Sequence, residues 1–74
     1  MVAMVPVTSS NVKAVGYDAA AKRLHVQFHS GGEYSYANVE PHQHQALVNA
    51  SSVGGHLHAN FIRKSAQHPH TRHG

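Results

Sequence analysis

"RLHVQFHSGGEYSYANV" spans residues 23–39, and how it is read decides the fold. In its first half Leu24, Val26 and Phe28 alternate with His25, Gln27 and His29. A period of two marks a strand with one face toward a core and the other toward water. "SGG" (30–32) follows, and glycine supplies the positive φ that a tight hairpin turn needs. "EYSYANV" (33–39) then reads as the returning strand. Its tyrosines, Tyr34 and Tyr36, stand two apart and so share one face of the sheet. Spacing alone leaves open which face that is.

Toward the N-terminus, "NVKAVGY" (11–17) reads as a further short strand rich in β-branched residues. "DAAAK" (18–22) is the turn between, with Asp18 able to bond the backbone just ahead of it. Toward the C-terminus, Pro41 suits the first turn of a helix, and "PHQHQALVNA" (41–50) sets His44, Leu47 and Val48 on one face. Ser51 and Ser52 interrupt that helix and can cap a second one over 52–62, weakened by Gly54 and Gly55, where Leu57 and Phe61 stand four apart. The expected architecture is α+β: a three-stranded antiparallel β-meander with one or two C-terminal helices packed on one face. The expected core is Leu24, Val26, Phe28, Leu47, Val48, Leu57 and Phe61. Residues 1–10 are expected to be a flexible lead and 11–62 the folded domain. Residues 63–74, "RKSAQHPHTRHG", lack periodicity and are expected to be a flexible basic, histidine-rich tail.

A chain of 74 residues makes one small domain that buries only about 60% of its unfolded surface. With no cysteine there is neither a disulfide nor a thiolate metal site to add stability. No apolar run approaches membrane-spanning length. "MVAMVPVTSS" lacks the basic and apolar regions of a signal peptide, so a cytoplasmic location without membrane contact is expected. Six basic against three acidic residues give +3, and protonation of all nine histidines would raise this to +12. Such a balance permits contact with nucleic acid or an acidic protein surface without demanding either. Surface charge should change strongly around pH 6.

Three H-x-H pairs, His42/His44, His56/His58 and His68/His70, raise the question of a metal. On a helix, residues two apart point about 200° from one another, so the first two pairs cannot close on one ion. His25 and His29 share a strand face but lie about 13 Å apart at the strand rise. No cysteine or clustered carboxylate completes a ligand set, so no metal and no cofactor are expected. The only carboxylates, Asp18, Glu33 and Glu40, form no acid–base pair, no serine sits in a nucleophile elbow, and "SVGGH" lacks the lysine of a phosphate loop. No catalytic residue is expected.

Taken together, "SSNVKAVGYD", "LHVQFHSGGEYSY" and "LVNASSVGG" resemble the KTSC domain, a short bacterial and phage domain. It occurs at the C-terminus of some lysyl-tRNA synthetases and as a free-standing small protein. Its hallmark is a central Y-x-Y, here Tyr34 and Tyr36, and the resemblance covers about residues 8 to 62. The family implies a binding role, with RNA as a suggested target and no established common activity. This chain departs from the family pattern. His44 and His56 stand where aromatic residues are common, His68-Pro69-His70 where the tail often reads Y-P-Y, and Val53 and Gly55 where basic residues are usual.

Two functions are therefore expected in order. The first is a regulator, monomeric or weakly dimeric, that docks on a protein of the transcription or translation machinery, for example an RNA polymerase subunit. It would use a strand edge or sheet face and the basic tail. The second is direct RNA binding, with Tyr34 and Tyr36 stacking bases and the tail contacting phosphates. The candidate partner-binding residues are Tyr34, Tyr36, Arg63, Lys64 and Arg72. Modest positive charge puts the protein partner first.

Overall fold

The computed structural model describes residues 3–74; residues 1 and 2 of the expected lead lie outside the described residues. In chain order the elements are strands β1 (Val5–Pro6), β2 (Val12–Asp18), β3 (Arg23–Phe28) and β4 (Glu33–Tyr36), then helices α1 (Pro41–Val48) and α2 (Val53–Leu57). A π-helical turn over His58–Ile62 and strand β5 (His70–Arg72) complete the chain. The strands form one antiparallel sheet in the order β1-β2-β3-β4-β5. The expected meander is its centre, but the sheet has five strands rather than three. Both additional strands are edges built from the segments expected to be unpacked.

The β3–β4 hairpin follows from its turn residues. Phe28 N–H bonds the Gly32 carbonyl and Gly31 N–H bonds the Phe28 carbonyl, each at 2.9 Å. This encloses a three-residue loop whose last residue, Gly31, has φ +104°, the position such loops reserve for glycine. At the β2–β3 turn the Asp18 carboxylate accepts from the backbone N–H groups of Ala20 and Ala21, as expected of that residue.

Strand β2 departs from strict alternation. Val12 pairs with Phe28 but Ala14 pairs with Gln27, so Lys13 is the extra residue of a β-bulge. The bulge lets Val12 and Val15, three apart, both enter the core, where both are buried. Plain alternation would have sent one of them to the other face.

Helix α1 starts at Pro41, with the Gln43 side chain accepting from Glu40 N–H at 2.8 Å. It ends at Val48, which is 36% exposed rather than in the core, while Leu47 beside it is fully buried, because adjacent helical residues point about 100° apart. Ser52 caps α2 through its hydroxyl, which accepts from Gly55 N–H. The helix expected over 52–62 is α for its first half and π for its second. The core is Val12, Val15, Leu24, Val26, Tyr36, Val39, Leu47, Val53, Leu57 and Phe61, with Phe28 only partly buried against it. The missed members are Val12 and Val15, whose spacing of three breaks strand alternation, Tyr36, whose face the spacing left open, and Val39 and Val53, single valines in a loop and at a helix start where no periodicity exists to reveal them.

The tail is held by His68. Its ring is 4% exposed and lies 5.0 Å from the Phe61 ring, while Nδ1 donates to the Ala37 carbonyl at 3.0 Å. From there Ala37 N–H bonds the Pro69 carbonyl and His73 N–H bonds the Glu33 carbonyl, which zips residues 70–72 onto β4. Three polar residues carry no strand signal; the free edge of β4 recruits them because its backbone groups need partners.

The uncovered face of the sheet is polar. Ser35, fully buried, accepts from Arg23 at 2.9 Å and lies 2.7 Å from His73 Nε2, and the His73 ring stacks on His25 at 5.7 Å. Gln27 donates to Glu33 beside them.

Two outcomes are expected from this packing. Gly31→Ala meets no atom within 4 Å, yet should destabilise by roughly 1–2 kcal/mol through its left-handed φ alone, measured by urea unfolding. The second concerns pH. Burial lowers the pKa of His44, and burial first, then the charge of nearby His73, lowers that of His25 against the opposing pull of Glu33 and Asp18. The folded state thus favours neutral imidazole. This stability is complete above the unfolded value of about 6.5 and is lost as pH falls through it toward the lower folded values. The urea midpoint should be flat above about pH 7.5 and fall from about 6.5 downward, and His25→Gln and His44→Gln should each reduce that slope.

Candidate docking cleft

Register decides where the tyrosines go. Tyr36 pairs with Leu24 and Tyr34 with Val26, and both partners are fully buried. Directly paired residues share a face, so both tyrosines lie on the helix-covered side and not on the open one. Their roles differ. Tyr36 is 4% exposed and packs at 6.3 Å from Phe61, and burial, then the neighbouring Tyr34, pushes its hydroxyl pKa up. Tyr34 is only partly buried and meets Phe28 edge to face at 5.8 Å.

Between β4, β5 and the π-helical turn opens a cleft of about 460 Å³, lined chiefly by Phe28, Tyr34, Tyr36, Phe61, Ile62 and His70. A hollow of about 420 Å³ adjoins it, sharing Phe28, Ser30 and Ile62 and reaching Asn11 and Gly54. The π turn shapes the shared rim: within one turn it holds Phe61 in the core, fully covered, and leaves Ile62 40% exposed on the groove. Inserted π turns are costly for a helix and recur at functional sites. No protein group bonds the hydroxyls of Tyr34 and Tyr36 among the described residues, and no buried side-chain polar atom there lacks a partner. The Tyr36 hydroxyl therefore meets the cleft rather than the core.

Of the five residues singled out in the sequence, three converge. Tyr34 and Tyr36 line the cleft, and the Arg72 guanidinium lies 5.9 Å over the Tyr34 ring. Lys64 lines a different, smaller hollow with His42 and His56. Arg63 ends the π turn as an exposed residue. Phe28, Ile62 and His70 were missed as cleft residues. His70 alone had a signal, its place in an H-P-H that stands for Y-P-Y.

Several histidines do take aromatic roles. His44 stacks on Tyr17 at 4.9 Å and 9° between planes, His68 packs on Phe61, and His70 lies 5.8 Å from Tyr34 and 6.2 Å from Tyr36. Among the described residues no three histidine or carboxylate side chains gather where they could hold a metal. The carboxylates are engaged elsewhere: Asp18 in its turn, Glu33 with Gln27, and Glu40 with Lys22 Nζ at 3.1 Å. No helix among the described residues is long and apolar enough to cross a membrane.

The family model for the KTSC domain matches residues 8–64. An uncharacterized protein from Stutzerimonas stutzeri is 40% identical over 57 residues, 77% of this chain and 80% of that protein. A protein from Tsukamurella paurometabola is 41% identical over 51 residues, 69% of this chain and 76% of its own length. The crystal structure of a KTSC domain protein from Yersinia pestis superposes over the whole of both chains with a TM-score of 0.88 at 27% identity.

Different burial of the two tyrosines has a measurable consequence. Tyr36→Ala should cost about 3–5 kcal/mol, the range for emptying a buried aromatic site, and Tyr34→Ala clearly less. Tyr36→Phe should unfold at nearly the parent urea concentration, because the lost hydroxyl has no partner within the protein.

Proposed function

The chain belongs to the KTSC domain family, and on that premise we propose a non-enzymatic docking module whose cleft seats a segment of a partner protein. We place that partner in the transcription or translation machinery of a bacterium or phage, with RNA polymerase as the example to try first. The setting rests on the family's occurrence at the end of lysyl-tRNA synthetases. The docking mode rests on the cleft itself.

One observation carries the choice of a protein over RNA: Tyr36 is 4% exposed. A sheet that stacks bases needs rings whose faces are open. Here one ring of the Y-x-Y pair is core, and the other already has Arg72 over it and an edge-to-face contact with Phe28. What remains accessible is a mostly apolar groove with a few polar groups on its rim, the usual form of a site for side chains. A catalytic role has less support. Ser35 and His73 stand at hydrogen-bond distance, but Ser35 is fully buried and its oxygen already accepts from Arg23.

Titration with short single-stranded RNA at low salt should leave the amide signals of residues 24–37 and 60–72 unmoved. Micromolar shifts there that weaken steeply with salt would replace docking by direct RNA binding. In parallel, the parent chain should retain a defined protein from host lysate, and Tyr34→Ala and Ile62→Asp should lose it while Arg63→Ala keeps it.

A further inference from the structure

Resting on the docking reading, we propose that the partner segment is an extended, acidic peptide with an apolar anchor, added as a sixth strand to the free edge of β5. The two edges of the sheet are not equivalent. β1 is two residues long and one of them is Pro6, which has no N–H to offer. β5 carries no such block. Its bonds to β4 involve Pro69 and His73, and antiparallel ladders alternate. Thr71, paired with Ser35, therefore turns its backbone groups inward, and those of His70 and Arg72 point outward to solvent.

These same two residues face the cleft with their side chains. His70 pairs with Tyr36 and Arg72 with Tyr34, which puts both on the helix-covered face. A strand laid against β5 would set alternate side chains on that face, next to Arg72 and over the mouth of the cleft. Ile62 and Phe28 offer apolar surface there, and the space of about 460 Å³ suits a large aliphatic or aromatic anchor.

Charge selects the peptide. Neither hollow of the groove is lined by an acidic residue. The three carboxylates of the chain lie in the β2–β3 turn, on the open face, and in an ion pair with Lys22. The rim instead carries Arg72, with His29, His58 and His70. An acidic residue opposite Arg72 gains an opposite-charge cross-strand pair. A second copy of this chain supplies no such pair. Antiparallel pairing of β5 with β5 would bring Arg72 against His70 or Arg72 of the other copy.

The test is a selection from a random peptide library on the immobilised full chain, followed by amide hydrogen exchange with a selected synthetic peptide. The expected consensus is acidic residues alternating with one large apolar residue. Changing its acidic residues to lysine should weaken binding by at least roughly tenfold. Bound peptide should slow exchange at His70 and Arg72, and Arg72→Glu, checked for an unchanged fold by its amide spectrum, should reverse the charge preference. A basic or uncharged consensus seated in the cleft overturns the acidic strand and leaves docking intact. Cleft binding without protection at His70 and Arg72 overturns the added strand. Protection that grows with protein concentration alone identifies a second copy as the occupant and overturns the proposal. No cleft-binding peptide at all overturns both readings.

Discussion

The ring of Phe61 is the contact on which the rest of the molecule hangs. It is 1% exposed, sits 6.3 Å from Tyr36 of the sheet and 5.0 Å from His68 of the tail. One side chain thus joins the helical segment, the central sheet and the C-terminal strand. In a chain of 74 residues few such anchors exist, and each buried aromatic contributes a large share of a small total. The π turn that carries Phe61 reflects this. A regular helix would pass from Leu57 to Phe61 with Ile62 rotated elsewhere, whereas the wider turn serves both the core and the groove.

The two faces of the sheet solve different problems. Under the helices, apolar packing supplies most of the stabilisation, and the cleft is the place where that packing stops short. On the other face there is no cover, and polar side chains shield the strands. Arg23 and His73 close over Ser35, which lets a serine be fully buried with its hydroxyl satisfied. The C-terminal segment belongs to both faces at once, with His70 and Arg72 of β5 toward the cleft and His73 just beyond it in contact with Ser35. Whatever loosens β5 therefore changes the cleft wall.

Much of the local structure was legible because it depends on residues close in sequence. The alternation of Leu24, Val26 and Phe28, the Gly31 turn, the Asp18 turn, Pro41 at a helix start and the Ser52 cap each act over a few residues. The bulge at Lys13 was not legible, since a valine pair three apart in a strand only makes sense once a core requires both. Val48 was misplaced because adjacent helical residues point about 100° apart, and α1 turns Leu47 rather than Val48 to the core. β5 left no pattern at all: it exists because β4 had an unpaired edge and His68 had a hydrophobic seat on Phe61. Of the candidate site, the tyrosine pair and Arg72 were visible, while Lys64 and Arg63 were grouped with them only as basic residues of the C-terminal segment.

By itself the sequence determined the hairpin, the α+β class, the family and the shared face of Tyr34 and Tyr36, because strand period and turn chemistry are local properties. Only the tertiary structure decided that this face lies beneath the helices, that Tyr36 is core and Tyr34 a cleft wall, and that the tail is a strand. Those outcomes depend on the register of β4 against β3 and on which residues reach Phe61. Both are set by contacts between segments far apart in the chain, where no spacing rule reaches.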